Sequence, residues 1–135
     1  MSQTADRAAG PTRLLIVEDE VLVRMFAVDA LEDAGFQVEQ ASTGAEALAL
    51  LERLKGDIGA VVIDLGLPDR PGDEVALQMR TISRDIPILI ASGRSEKELR
   101  ERFQVDGRVG IMVKPFTGPM LVAALEDLGI KGTSP

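Results

Sequence analysis

Five short strand-like runs punctuate the chain, and four of them are apolar and lead into a side chain capable of phosphoryl chemistry. Leu14-Leu15-Ile16-Val17 leads into Glu18-Asp19, Val61-Val62-Ile63 into Asp64, Ile88-Leu89-Ile90-Ala91 into Ser92, and Val109-Gly110-Ile111-Met112-Val113 into Lys114. The fifth run, Phe36 to Gln40, is more polar. Runs of this length bounded by turn residues read as strands. Between them, apolar positions recur at helical spacing. Leu22, Met25, Phe26, Val28, Ala30 and Leu31 precede a stop at Gly35. Ala45, Leu48, Ala49, Leu51 and Leu54 predict the buried stripe of a helix capped by Ser42 or Thr43 and stopped at Gly56. Pro68, Pro71 and Gly72 break the chain before a helix carrying Val75, Leu77, Met79 and Ile82. Pro87 opens the fourth strand, where a missing N–H is tolerated. A short, charged helix is expected over Glu96 to Phe103, and a last helix from about Pro119 to Leu128 with its proline in the first turn.

This alternation predicts a (βα)5 domain: a doubly wound, five-stranded parallel sheet in the flavodoxin-like order 2-1-3-4-5. The third, fourth and fifth strands are almost wholly apolar, as expected of parallel strands covered on both faces. Right-handed crossovers favour an open sheet, in which ligands sit beyond the carboxyl ends of the strands. All four polar run ends lie there. The expected organisation is a disordered lead-in over 1–12, one domain over 13–130 and a tail over 131–135, with no output domain following.

Three carboxylates, a hydroxyl and an ammonium at one sheet edge make a site for a divalent cation and a phosphoryl group. Glu18 and Asp19 would point apart on a continuing strand, but a turn at the strand end lets both approach one ion. A few hard oxygen ligands suit Mg²⁺. The plain alternative is a solvated acidic loop at the start of a helix, where negative charge is favourable. Asp64 follows an apolar strand, so its charge is costly to desolvate unless a cation or Lys114 compensates, and the charge on Asp19 adds to that cost. A turn-capping aspartate is its simpler reading. Ser92 can hydrogen-bond a phosphoryl oxygen, and Gly93 lets a backbone amide come close. Lys114 could be an ordinary snorkelling lysine; a cis bond to Pro115 would aim it inward.

Composition narrows the chemistry. At 135 residues the chain is long enough for one core without staples. It has no cysteine and no histidine, which removes disulfides, thiolate and imidazole metal sites, Ser-His-Asp catalysis and any phosphohistidine on this chain. A net charge of −7 argues against non-specific nucleic-acid binding. No run approaches a membrane span and the amino terminus lacks the apolar core of a signal peptide, so a cytoplasmic location is the expectation. Neither a GxxxxGK[ST] nor a GxGxxG cradle is present.

Taken together, LLIVEDE, VVIDLGLPDRPGD, ILIASG and VKPF resemble the receiver domain of two-component response regulators, over about residues 13–130. The second motif is the most specific, with Asp64, Pro68 four residues on and Gly72 eight on. The resemblance implies a phosphoacceptor module rather than a turnover enzyme, its own chemistry limited to self-phosphorylation from a donor and autodephosphorylation. Asp64 would take a phosphoryl group from a phosphohistidine on a sensor histidine kinase or a histidine phosphotransfer protein. Asp19, Asp64 and the Gly66 carbonyl would bind Mg²⁺, with Glu18 acting through water. Lys114 and Ser92 would bond the transferred group, and a downstream protein target would read the changed surface around the charged helix and the fifth strand.

Four positions depart from or flank that pattern. Glu18 stands where the family often has aspartate. Ile111, three residues before Lys114, replaces the usual Tyr or Phe and cannot swing a ring inward, so output is expected to run through the loop after Ser92 and the helix 96–103. Gly66 and Arg94 flank the phosphoryl position: Gly66 leaves water unobstructed, whereas Arg94 could pair with phosphate. Ile90-Ala91-Ser92-Gly93 partly resembles the FATGUY-type single-domain regulators, which lack the aromatic switch, although Arg94 and Ser95 depart from that motif. Two other classes compete. An aspartyl-phosphate phosphohydrolase would carry a second aspartate where Gly66 stands and would need a cap. A pseudo-receiver would not be expected to retain Asp19, Asp64, Ser92 and Lys114. On the last helix, Leu121, Val122, Ala124 and Leu125 leave room for a face serving a partner or a weak homodimer, with core packing the simpler use.

Overall fold

In a computed structural model, residues 12–54, 56–93, 97–98, 101 and 108–132 are described. The expectations for Arg94 and for most of the lead-in, the charged helix and the tail fall outside them. The elements are β1 Arg13–Val17, α1 Val21–Asp33, β2 Gln37–Ala41, α2 Gly44–Leu54, β3 Ala60–Asp64, α3 Gly72–Ile82, β4 Ile88–Ser92, β5 Val109–Val113 and α4 Gly118–Asp127. All five strands are parallel, in the order β2-β1-β3-β4-β5. Gly35 and Gly56 follow α1 and α2 with φ of 95° and 94°, left-handed conformations that favour glycine.

Because strand side chains alternate, the sheet feeds two cores. Leu15, Val17, Val61, Ile63, Ile88 and Ile90 pack with α2 and α3, while Leu14, Ile16, Val62, Leu89 and Met112 pack with α1 and α4. β3 and β4 are covered on both faces as expected. β5 lies at the sheet edge, and only Met112 in it is buried among the described residues.

Two helical stripes sit one step from where the apolar spacing put them. In α2 the buried residues are Gly44, Ala47 and Leu51, with Leu48 and Leu54 packed beside them, and Ala45 and Ala49 face solvent. Gly44 fixes this orientation, since a Cβ there would lie 2.7 Å from Val75 Cγ2. In α3, Val75, Ala76 and Met79 are buried and Leu77 points outward, 62% exposed. α1 buries Ala27, Val28 and Leu31 but exposes Leu22, Met25 and Phe26. On α4, Leu121 and Leu125 are fully buried, with Val122 and Ala124 packed against the same core.

Candidate functional site

The register of the sheet brings the polar run ends together. Val17 pairs with Ile63 and Asp64 with Ala91, so the first residues beyond β1 and the last residue of β3 are neighbours. Ser92 pairs with Val113, which places Lys114 just past the next strand end; its amide donates to the Ser92 carbonyl at 2.8 Å. Glu18, Asp19 and Asp64 each offer a carboxylate oxygen within 4.8 Å of the others. Lys114 Nζ lies 3.0 Å from Asp64 Oδ1 and 3.1 Å from Glu18 Oε1, bridging the cluster. The Lys114–Pro115 bond is cis.

Burial gives these contacts their weight. Glu18 is 5% exposed and Ser92 4%. Burial raises the Glu18 carboxyl above its ordinary 4.5; the Glu20 amide, donating at 3.1 Å, opposes this, the negative charge of Asp64 adds to it, and Lys114 opposes it. For Lys114, burial works against the ammonium, but hydrogen bonds and charges from Asp64 and Glu18 outweigh it and hold the group above its ordinary 10.5. Because the folded protein holds the Glu18 proton more tightly than the unfolded chain does, this contribution to stability is complete below the ordinary 4.5 and is lost as pH rises through the raised value. Glu18→Gln cannot ionise there, so in Mg²⁺-free buffer it should gain thermal stability relative to wild type as pH rises from about 4 to 7. Parallel melting profiles across that range would contradict this.

Three oxygen-bearing groups, partly withdrawn from water and converging on one point, fit a small hard cation. Gly66 is exposed beside them; a Cβ there would be 3.5 Å from Asp64 Oδ2, an ordinary contact. Gly93 is exposed, with open space where a Cβ would stand. Ile111 is half-buried and pairs with Ile90.

The sequence profile of the response regulator receiver domain matches residues 14–126. The chain belongs to the response regulator receiver domain family. The transcriptional regulatory protein PdtaR of Mycobacterium tuberculosis is 37% identical over 120 residues, covering 88% of this chain and 57% of that protein. Sensor kinase CckA of Brucella abortus is 32% identical over 126 residues, 93% of this chain but 13% of that protein. This chain therefore spans about half, or much less, of those relatives. Among solved structures, the non-phosphorylated HemR receiver domain of Leptospira biflexa aligns with a TM-score of 0.79 at 30% identity, covering 91% of this chain and 97% of that one. Chemotaxis protein CheY4 of Vibrio cholerae aligns with a TM-score of 0.79 at 28% identity, covering 87% and 98%.

Two residues that brace the segments around the site, Arg24 and Asp69, gave no sign of that role in the sequence. Arg24 on α1 donates from Nη1 to the Glu18 carbonyl at 2.8 Å and from Nε to Gln40 Oε1 at 3.1 Å. Asp69, in the loop after Asp64, accepts from the Gly44 and Ala45 amides at 2.8 and 2.9 Å. Those amides hold its carboxyl below the usual aspartate value. The α2 cap inferred from Ser42 or Thr43 uses both residues. Thr43 Oγ1 accepts from the Glu46 amide, and the Glu46 carboxylate accepts from the Ser42 amide and hydroxyl.

Proposed function

We propose that this receiver takes a phosphoryl group onto Asp64 from a phosphohistidine on a sensor kinase or phosphotransfer protein and later loses it to water. The observation that carries the reading is the Lys114 bridge to Asp64 and Glu18 across the three-carboxylate cluster. In the transfer, an Asp64 oxygen attacks phosphorus as the nitrogen–phosphorus bond breaks. The electron pair returns to the donor imidazole nitrogen, which picks up a proton. Lys114 holds Asp64 in place and meets the charge on the transferring group. Ser92, buried at the end of β4, donates its hydroxyl to the attached phosphate.

Asp19 and Asp64, with Glu18 through water and the Gly66 carbonyl, would hold Mg²⁺. When bound, Mg²⁺ neutralises charge on the phosphoryl oxygens. The donor protein has a surface to dock on: Leu22 and Phe26 are 79% and 46% exposed and line, with Lys114, Pro115 and Phe116, a groove of about 310 Å³. Output runs through the segment after Ser92 to a downstream protein, because Ile111 has no ring to move. Among the described residues no helix is long and apolar enough to cross a membrane, and we place the chain in the cytoplasm with its donor.

Incubating the protein with acetyl phosphate should add the mass of one phosphoryl group in the presence of Mg²⁺, but not in EDTA and not in Asp64→Asn. Unmodified wild type in Mg²⁺, or a modified Asp64→Asn, would overturn the proposal.

A further inference from the structure

We infer that Asp69 is a positioning residue for this site, acting through the β3–α3 loop that follows Asp64 and carries Gly66; the inference rests on the phosphoacceptor reading above. The first two amides of α2 have no acceptor within their own helix. A local side chain could serve them, as Thr43 serves the Glu46 amide. Instead, one carboxylate 25 and 24 residues away takes both, Oδ1 from Gly44 and Oδ2 from Ala45. A cap supplied from so far along the chain is also a cross-link. It pins the β3–α3 loop at its midpoint to the start of α2.

The same junction is tied on its other side. The Ala41 carbonyl, at the end of β2, accepts from the Glu18 amide at 3.0 Å. Residues 41–45 are therefore bonded to both segments that bring carboxylates to the cluster, Glu18-Asp19 through Ala41 and Asp64 through Asp69. The far end of the loop is closed by the Gly72 amide donating to the Leu65 carbonyl at 2.9 Å. Packing keeps the clamp in register, because a Cβ on Gly44 would meet Val75 Cγ2 at 2.7 Å and Arg70 Cγ at 3.0 Å. With both ends and the midpoint fixed, Gly66 is held beside the Asp64 carboxylate.

The test separates positioning from helix stability. Asp69→Ala should weaken Mg²⁺ binding, read by calorimetry, about ten-fold, the low end for groups that support metal ligands. It should slow acceptance from acetyl phosphate by a similar factor and speed amide exchange over residues 65–71. Thr43→Val removes a cap of the same helix without touching the loop, so it should lower the melting temperature and leave Mg²⁺ affinity within about two-fold. Asp69→Asn keeps one acceptor oxygen and should fall between, and it carries the test if Asp69→Ala does not fold. Wild-type Mg²⁺ affinity in the Asp69 variants, or an equal loss in Thr43→Val, overturns the role of Asp69 alone. A wild type that binds no Mg²⁺ and accepts no phosphoryl group overturns the phosphoacceptor reading and this inference with it.

Discussion

Replacing Lys114 by alanine is expected to slow phosphoryl acceptance from acetyl phosphate by about 10²-fold, the scale of losing one preorganised donor to a developing charge. The same change should destabilise the fold. Lys114 Nζ is 3.0 Å from Asp64 and 3.1 Å from Glu18, and removing it leaves two largely buried carboxylates facing one another. Breaking a fully buried pair costs roughly 3–5 kcal/mol, and about 2 kcal/mol is expected here because the Lys114 side chain, 24% exposed, still meets solvent. Added Mg²⁺ should recover part of that stability, since a cation among Glu18, Asp19 and Asp64 replaces the missing charge, but should not recover the rate. Denaturant titrations with and without Mg²⁺, beside acceptance rates by intact-protein mass, check all three statements. An unchanged rate would remove Lys114 from the mechanism.

The second large effect concerns a residue with no chemistry of its own. A Cβ on Gly72 would lie 2.4 Å from the Asp64 carbonyl oxygen and 2.6 Å from Leu65 Cα. Both obstacles are backbone, so neither can turn aside as a side chain can. Gly72→Ala must push the start of α3 away from the end of β3. We expect a loss of about 3 kcal/mol, the upper end for overpacking, or roughly 10 °C in melting temperature for a domain of this size. Acceptance on Asp64 should fall with it, because the displaced strand end carries the acceptor. Gly66→Ala is the contrast: its nearest obstacle is Asp64 Oδ2 at 3.5 Å, so it should melt within a few degrees of wild type. Equal melting temperatures for Gly72→Ala and wild type would contradict the close approach.

These two residues show what the sequence could and could not disclose. Lys114 was legible because it ends an apolar strand, and strand ends of a parallel sheet converge whatever the helices do. The covered strands β1, β3 and β4 were legible for the same reason, from the short, wholly apolar runs that precede Glu18, Asp64 and Ser92. Gly72 was visible as a breaker, but its contact with the β3 backbone depends on loop closure that no pattern encodes. The helical stripes failed at Ala45, Ala49 and Leu77 because small and apolar residues surround the true faces, so several rotations fit the same spacing. Gly44, packed against Val75, decides the rotation of α2 by shape rather than hydropathy. Asp69 was hidden for a different reason: its partners are a helix turn 24 and 25 positions away, and a backbone amide carries no residue identity to search for. The exposed Leu22, Met25 and Phe26 look like core in sequence, since hydropathy does not distinguish packing inward from an apolar surface beside a site.

In the proposed function Asp64 is the acceptor and its neighbours serve it. The most direct measurement is peptide mass spectrometry of the protein after acetyl phosphate treatment in Mg²⁺, with borohydride reduction to mark the acyl phosphate. The label should appear on Asp64 alone and vanish when Mg²⁺ is chelated. A label on Glu18, Asp19 or Ser92 with Asp64 unmodified would contradict that role.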